Sequence, residues 1–413
     1  MYNLHLGPEQ IEIRDTVRDF VLQEIKPLAL KPERLEGLDR SLQFPILDKA
    51  SQLGLRTLAL SEEAGGAGAD ALTGCIVAEE LAAGDPDIAA VLSETSRLGH
   101  VLFDRLMTSE QRDRFLPLFL EDDRYHLAFA CEEPDSDQAL GIDYHRPGPG
   151  TVTLRTAAVR TAKGEWIIDG VKDCVANAPV AKLFAVTASD PQRPGDVRTI
   201  LVPRDAPGLT VAAHEGRDRW FHGACGTVTL QECRVPAQYL VDPQRQAALT
   251  GDGGRAPPRA AAISLGIGRA AYEAGLEYAS LRVQGGRRIV EHQAIGVKLA
   301  DIAIRLSVAR NAVWQAAWGS DHPEAYADRS LDDLPLATIA SVFTAEAVYH
   351  AAKDAAECFG AMGVMRDMPL QKYVRDALIS LHAGAGVSDA KLTIAEALAG
   401  FRRLPAASMR AAE

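Results

Sequence analysis

The fold of this 413-residue chain is decided by residues 357–389, ECFGAMGVMRDMPLQKYVRDALISLHAGAGVSD. This stretch runs from a glycine-broken turn through a polar helix to a loop of small residues, and then into a last amphipathic helix. Glycine-rich turns on both sides of a helix are typical of a backbone that passes close to a flat or charged group, because glycine has no side chain to hold that group away. Two ordinary helix ends would give the same pattern.

Composition narrows the possible functions. The hydrophobic fraction of 47% and the charged fraction of 24% are those of a soluble globular protein, and the length predicts two or three structural units. The net charge of -12 argues against nucleic acid and anionic membranes as partners, so an anionic substrate would need a local basic pocket. No apolar run approaches the roughly 20 residues of a spanning helix, and the start of the chain lacks a signal-peptide pattern. We therefore expect a cytoplasmic protein.

The six cysteines have no CxxC spacing, which argues against a zinc site or a disulfide framework. We expect them to be small buried residues and predict no metal site. They are Cys75, Cys131, Cys174, Cys225, Cys233 and Cys358.

Hydrophobic periodicity divides the chain into three parts. Over residues 1–127 apolar side chains recur every three or four residues, which predicts an all-α domain. Its glycine-rich segment EEAGGAGAD, residues 62–70, is interpreted as a helix connector, because no strand precedes it and no lysine follows at P-loop spacing. Residues 128–242 form short runs of period two and predict a small β domain, with a turn at Asp169-Gly170. Helical periodicity returns over residues 243–413 and predicts a helical bundle.

This order of domains, together with several local strings, resembles the acyl-CoA dehydrogenase family over nearly the whole chain. The resemblance implies a mainly α fold: an N-terminal helical domain, a middle β-barrel-like domain and a C-terminal four-helix bundle. The strings are LGPEQIEIRDTVRDFVLQEIKPLA (6–29), MTSEQRDRFLPLFLEDD (107–123), AFACEEPDSD (128–137), GEWIIDGVKDCVANAPVAKLFAV (164–186), RVQGGRRIVEHQAIGVKLADI (282–302) and ECFGAMGVMRDMPLQKYVRDA (357–377).

The resemblance implies FAD bound between the β domain and the bundle, in a homotetramer or dimer whose subunits complete each other's sites. Arg282 is then expected to contact the FAD pyrophosphate, and Gln293 the adenine side. Alternatively, Arg282 could form a surface salt bridge, and Gln293 could be an amide on the face of a helix. The turn with Phe359, Gly360 and Gly363 is expected to pack against the neighbouring subunit's FAD. Glu357 replaces the family's usual glutamine there, which weakens that contact.

The flavin ring is expected to lie against two segments of the β domain. Phe129, Cys131 and Glu132 form the first, where Glu132 replaces the family's threonine. In the second, Cys174 and Ala176 replace a tryptophan and a threonine, so the ring pocket is roomier and less polar. Cys174 is interpreted as filling space and not as a redox group.

Substrate contacts are expected at Ser136, Asp137 and Arg259. Ser136 also belongs to the flavin loop, and the loop that holds it is shorter than in the family at the place where the pantetheine arm is bound. Recognition of CoA is therefore open, and a group bound to a carrier protein is an alternative. Arg259 could equally orient a catalytic base or form a salt bridge within the bundle.

The largest departure from the family concerns the base that removes the α-proton of the thioester, whose loss should slow that step about 100-fold or more. The usual glutamate position holds Ala383, and the alternative position, just before Arg259, holds Pro258. His382 and Glu132 are the candidate substitutes. An imidazole has a suitable pKa for this task, although His382 could simply pack at the helix end, and Glu132 could face water.

Three functions remain open at this stage. The first is an FAD-dependent oxidoreductase of an acyl-CoA or acyl-carrier thioester with a non-standard base. It would pass electrons to an electron-transfer flavoprotein or to oxygen. The second is a flavin-dependent monooxygenase of the same fold, which needs no such base. The third is a non-catalytic subunit that assembles with an active homologue.

Overall fold

The structure, a computed structural model, describes residues 5–35, 42–134, 154–191, 193–214, 221–242, 257–382 and 386–400. In the described part of the chain no helix is long and apolar enough to cross a membrane. Helices come first, a sheet lies in the middle, and helices follow to the end. The expected mainly α architecture with a central β domain is thus confirmed.

Among the described residues, seven α-helices form the first unit. Two of them continue as π-helical segments, α1 into Val21–Ile25 and α6 into His100–Leu106. The central helix, α5, is buried along nearly its whole length, as expected of a helix that is apolar on all sides. The helices are α1 (Pro8–Phe20), α2 (Lys26–Ala29), α3 (Pro32–Leu35), α4 (Phe44–Gln52), α5 (Ala71–Gly84), α6 (Pro86–Gly99) and α7 (Ser109–Glu121).

Short polar side chains cap the N-termini of three of these helices. The Asp70 carboxylate accepts a hydrogen bond from the amide of Thr73 at 2.7 Å, at the start of α5. Asp85 caps α6 by accepting from the amide of Asp87 at 2.9 Å, with proline as the first helical residue. Thr108 and Gln111 form a reciprocal capping box at the start of α7. These local signals are readable in the sequence.

The middle unit is a mixed sheet in the order β1-β4-β2-β3-β7-β6, with β5 paired to β4. β1 runs parallel to β4, whereas β3 is antiparallel to both β2 and β7. Its hydrophobic face joins α7 and the end of α6 in one core. The strands are β1 (His126–Ala130), β2 (Ala157–Arg160), β3 (Glu165–Ala176), β4 (Ala181–Asp190), β5 (Arg193–Pro203), β6 (Leu209–Ala213) and β7 (Cys225–Pro236).

The predicted turn at Asp169-Gly170 is wrong, because both residues lie inside β3. The pairing with β7 shifts register at this point, and Gly170 adopts a φ of 153°. A Cβ there would lie 2.6 Å from the Cα of Thr156, so only glycine fits. The Asp169 carboxylate accepts a hydrogen bond from the amide of Glu232 at 2.7 Å. Packing against neighbouring strands thus overrides the usual turn preference of Asp-Gly.

Where the structure describes it, the last unit contains six α-helices and a short hairpin of β8 (Val283–Gln284) and β9 (Arg287–Arg288). The first helix packs closely on α5, since a Cβ at Gly266 would lie 2.3 Å from the carbonyl oxygen of Glu79. The helices are α8 (Arg259–Leu281), α9 (Gln293–Asp321), α10 (Glu324–Ala327), α11 (Leu336–Cys358), α12 (Leu370–His382) and α13 (Gly386–Ala399).

Two buried glutamates on α5 join the first and last units. Glu79 pairs with Arg310 of α9 at 2.6 Å. Glu80 pairs with Arg269 of α8 at 2.6 Å and with Arg18 of α1 at 2.7 Å. Because each carboxylate is matched by more than one guanidinium, the network holds α5 against the bundle without leaving a buried charge unpaired.

Candidate active site

A cavity of about 640 Å³ lies between α5, α6, the start of α8 and the end of α9. The glycine-rich segment predicted to be a helix connector does lead into α5, and its Gly68, Ala69 and Asp70 also form part of the cavity wall. Apolar side chains from α5 and α6 line much of the remainder, among them Val77 and Leu92. The volume lies within the range of about 300–1,000 Å³ typical of small-molecule sites.

An ion pair on α6 borders this cavity. The Arg97 guanidinium, part of the cavity wall, donates to the Glu94 carboxylate through two nitrogens, at 2.9 and 2.5 Å. Burial disfavours both charges, but their attraction outweighs it, so the pKa of Glu94 is lowered and the pKa of Arg97 is raised. Neither residue was predicted from the sequence. The i,i+3 spacing of opposite charges on a mostly buried helix was the available signal.

Arg259, predicted to contact substrate, does lie on the cavity wall, on the first residue of α8. Burial, aided by the nearby positive charge of Arg97, lowers the pKa of its guanidinium to about 10, so it is still charged at neutral pH. Within the residues that the structure describes, no carboxylate forms a salt bridge with it. Its neighbour Pro258, the alternative base position, is buried and precedes the helix.

A hydrogen-bonded clamp holds α6 against the sheet. Asn177, buried and with a φ of 63°, donates to the carbonyls of Val91 at 3.1 Å and Leu127 at 3.3 Å and to the Thr95 hydroxyl at 3.1 Å. The Thr95 hydroxyl in turn lies 3.0 Å from Nδ1 of His126. Burial lowers the pKa of His126 to about 4, so this histidine is neutral. One helix therefore carries the cavity wall and is fixed to β1 and β3.

The two segments expected to face the flavin ring lie side by side. The carbonyl of Glu132 accepts a hydrogen bond from the amide of Asp173 at 3.0 Å, which ties the chain after β1 to the end of β3. Phe129 and Cys131 are partly exposed, and Glu132, Cys174 and Ala176 are exposed. They form an accessible strip, called the β edge below.

Two cysteines of the β edge correct the expectation that all six are buried. Cys131 is only partly buried and Cys174 is exposed. Cys174 also has a φ of 51°, in the left-handed region that side chains rarely adopt. Burial of its sulfur and the nearby Asp173 charge raise the pKa of its thiol, so it is protonated at neutral pH. That state agrees with a thiol that takes no part in redox chemistry.

A buried ion pair supports the β edge from behind and was not predicted. Lys172 Nζ donates to the Glu133 carboxylate at 2.9 Å and to the Cys131 carbonyl at 3.2 Å. The amides of Arg155 and Thr156 donate to Glu133 at 2.7 and 2.9 Å. Burial raises the pKa of Glu133, but hydrogen bonds from Thr156, Lys172 and Arg155 outweigh it and lower that pKa to about 2.

The residues expected to contact the adenine and phosphates lie at one end of the bundle. Arg282 and Gln293 are exposed at the end of α8 and the start of α9. The Phe359 ring points inward and stacks on Tyr278 with 4.1 Å between centroids, so only its backbone can face a ligand.

The turn that follows keeps an open backbone. Gly360 has a φ of 57° and open space where a Cβ would stand, whereas a Cβ at Gly363 would lie 2.3 Å from the Ala356 carbonyl. Glu357 is exposed and paired with Lys298 and, at 3.6 Å, with Lys353. Two lysines thus offset the negative charge expected to weaken this contact.

Of the predicted base and loop positions, Ala383, Ser136 and Asp137 lie outside the described residues. His382 is exposed at the last residue of α12, and Glu132 is exposed on the β edge. Beside it, Asp173, His214 and Thr227 form a hydrogen-bonded cluster, with 3.0 Å between Nε2 of His214 and the Asp173 carboxylate. Asp173, Cys174 and His214 could together ligate a metal, but the cluster satisfies its own hydrogen bonds and we assign no ion to it.

Comparison with known proteins identifies the class. Models of the N-terminal, middle and C-terminal domains of acyl-CoA dehydrogenase match residues 7–123, 147–225 and 256–398. An acyl-CoA dehydrogenase of Bacillus subtilis is 31% identical over 91% of this chain and 94% of its own length. Benzylmalonyl-CoA dehydrogenase of Aromatoleum aromaticum is 30% identical over 95% of this chain and 98% of its own. The chain belongs to the acyl-CoA dehydrogenase family. It is an FAD-dependent dehydrogenase.

Solved structures agree with this fold. Butyryl-CoA dehydrogenase from Megasphaera elsdenii superposes with a TM-score of 0.81 at 23% identity, over 96% of this chain and all of the other. The prolyl acyl carrier protein oxidase AnaB gives a TM-score of 0.77 at 22% identity, over 95% of this chain and all of its own. PigA, solved with FAD and proline, gives a TM-score of 0.79 at 21% identity, over 97% of this chain and 100% of its own.

Proposed function

We propose that the protein oxidises the acyl group of a thioester, presented by CoA or by a carrier protein, with FAD as the electron acceptor. The observation that supports this most directly is the position of the cavity against the β edge. Helix α6, which carries Arg97 of the cavity wall, is bonded through Asn177 to β1, the strand that leads to Cys131 of the β edge. An acyl group in the cavity would thus lie beside a ring on the β edge.

The residues that would hold FAD fit a flat ring and a phosphate-bearing tail. The β edge offers an accessible strip of small and apolar side chains, with Cys174 and Ala176 exposed where a ring could stack. Arg282 is an exposed cation for the pyrophosphate, and Gln293 an exposed amide for the adenine side. The open backbone at Gly360 would contact the FAD of a second subunit. When bound, FAD supplies the hydride acceptor that protein side chains lack.

The proton of the acyl group needs a base from this chain. Glu132 is the first candidate, because its backbone is fixed by the bond to Asp173 while its side chain is exposed on the β edge. His382, at the end of α12, is the second. Either would have to lie within about 3 Å of the proton in the bound complex.

The carrier of the acyl group is either CoA or a carrier protein. The curated relatives cited above act on CoA thioesters by name, whereas the AnaB structure is that of an oxidase for a prolyl carrier protein. In sequence, the loop around Ser136 and Asp137 is shorter than in the family, which favours reduced contact with CoA. Both carriers present the acyl group on the same pantetheine arm, so one cavity serves either.

A homo-oligomer, a tetramer or a dimer, agrees with the apolar surface of the bundle. Several large apolar side chains there are 60–77% exposed, which is costly for a monomer when they are grouped. A second copy would cover them and bring its own glycine turn to the FAD. They are Leu281, Val283, Val297, Ile304 and Val364.

The test is an absorbance spectrum of the purified protein followed by anaerobic titration with thioesters. We expect a yellow protein whose flavin absorbance bleaches with an acyl-CoA or an acyl-carrier protein, and whose reoxidation by electron-transfer flavoprotein or by oxygen identifies the acceptor. A protein that cannot be loaded with FAD would contradict the proposal. Flavin that never bleaches with thioesters, but activates oxygen and hydroxylates a product, would favour the monooxygenase instead.

A further inference from the structure

The cavity described above is unusual for one that receives a hydrocarbon chain, because cations line it. Four basic residues contribute to its wall: Arg97 from α6, His100 and Arg105 from the π-helical segment, and Arg259 from α8. Of these, Arg97 is matched by Glu94, and His100 lies 2.8 Å from Asp104. Arg105 is exposed to water. Among the described residues neither Arg105 nor Arg259 forms a salt bridge, and of the two it is Arg259 that is partly buried in the wall.

The acidic residues of the wall are occupied elsewhere. The Asp70 carboxylate caps α5 by accepting from the Thr73 amide at 2.7 Å. Asp321 accepts from the Ala71 amide at 2.8 Å, at the same end of the cavity. The charged groups close enough to act on Arg259 are Arg97 and Glu94. Arg97 and Arg259 are therefore near one another on the wall, and the two wall carboxylates are engaged by backbone amides.

Arg259 is partly buried in the cavity wall. A guanidinium that is partly withdrawn from water and has no carboxylate partner among the described residues is well placed to pair with an anionic ligand in the cavity. A planar guanidinium is best matched by a carboxylate, which accepts two parallel hydrogen bonds. Four serines also line the cavity, but much of the remaining wall is apolar and suits a short hydrocarbon segment, with Leu55, Leu58, Val77, Leu81, Leu92 and Val101. Such a cavity has one place for methylenes and another for an anion.

We propose that the substrate is the monothioester of a dicarboxylic acid, and that Arg259, with Arg97 beside it, binds the free carboxylate of the acyl group. This inference rests on the proposed function, because it assigns the acyl group of the same thioester. Arg97 keeps Glu94 as its partner and adds positive potential, so Arg259 is the residue that determines specificity.

The experiment compares two ligands of equal length on the FAD-loaded full chain, glutaryl-pantetheine and valeryl-pantetheine. They share the arm common to CoA and carrier proteins, lack the phosphates of CoA, and differ by the carboxylate. We expect glutaryl-pantetheine to bind about 10- to 100-fold more tightly, the range expected of a charge-assisted hydrogen bond, in calorimetry or by thermal shift. In Arg259→Met this preference should disappear, while binding of valeryl-pantetheine is kept or improved.

Arg105→Met is the matched control, because it removes another arginine of the same wall, and it should keep the preference for the carboxylate. Equal binding of the two ligands by the natural protein overturns the proposal without any variant. A preference lost in Arg105→Met and kept in Arg259→Met overturns the assignment to Arg259. Binding is measured separately from flavin bleaching. Tight glutaryl binding without bleaching therefore counts against the oxidation chemistry alone, and bleaching by both thioesters with equal affinity counts against the dicarboxylate alone.

Discussion

Replacing Lys172 by methionine tests how the β edge is supported. The change keeps most of the side-chain volume and removes a buried ammonium that bonds Glu133 at 2.9 Å and the Cys131 carbonyl at 3.2 Å. The side chains of Lys172 and Glu133 are 0% and 6% exposed, so the carboxylate left behind stays out of water. Removing one partner of such a pair costs about 3–5 kcal/mol. Because two backbone amides still bind Glu133, we expect the free energy of unfolding to fall by about 3 kcal/mol, the lower end of this range.

The pH dependence of stability provides a second readout of the same pair. The folded-state pKa of Glu133 is about 2, below its ordinary value of 4.5. A depressed carboxylate pKa stabilises the fold above about pH 4.5, and this contribution is lost as the pH falls from about 4.5 towards 2. The difference of about 2.5 pKa units corresponds to about 3 kcal/mol. Lys172→Met should flatten this dependence, because the pKa of Glu133 rises when the cation is removed.

The assay is urea unfolding at pH 7 and pH 3.5, followed by near-UV circular dichroism of the aromatic residues. Lys182→Met is the matched control: it lies in β4 of the same sheet and pairs with Asp122 at the surface, where a loss of about 0–1 kcal/mol is expected. If both variants lose the same stability at pH 7, or if Lys172→Met keeps the full acid sensitivity of the natural protein, the reasoning is refuted.

Three further predictions concern the clamp, the assembly and the base. Asn177→Ala removes three hydrogen bonds and a side chain that tolerates a positive φ, so the free energy of unfolding should fall by about 2–3 kcal/mol in a denaturant titration. Ile304→Glu places a charge on a side chain that is 60% exposed on α9, and light scattering should show smaller particles if this face joins subunits. Glu132→Gln should lower the rate of flavin bleaching about 100-fold if Glu132 is the base, with FAD content unchanged. The same loss in His382→Gln alone would assign the base to the histidine, and Glu12→Gln, at an exposed site on α1, should have no effect.

Local sequence patterns were enough to predict the fold, but they did not show how its elements pack against one another. Helical and strand periodicity predicted the three-part architecture. The Asp-Gly turn within β3 was mistaken because the contact that requires Gly170 comes from Thr156, and no local signal shows which strand lies opposite. The exposure of Cys174 escaped prediction for the same reason, since it depends on a left-handed backbone at a strand end.

Candidate site residues could be named from the sequence mainly where the family strings reach. The residues of the β edge and of the glycine turn were named from these strings, and Arg259 from its place beside the alternative base position, Pro258. Glu94 and Arg97 were missed, because a cavity is formed by helices distant in sequence and periodicity does not show which helix faces which. Lys172 was part of a quoted string, but its pairing with Glu133 spans 39 positions and depends on the order of strands in the sheet.

The clamp at Asn177 also bears on how such a chain could diversify. Asn177, which follows β3, bonds α6 to β1. The wall formed by α6 alone therefore fixes the distance between the cavity and the β edge. The opposite walls, on α5 and at the start of α8, can exchange side chains without altering that distance. Successive substitutions there could admit longer, shorter or differently charged acyl groups while the geometry of the reaction is inherited unchanged.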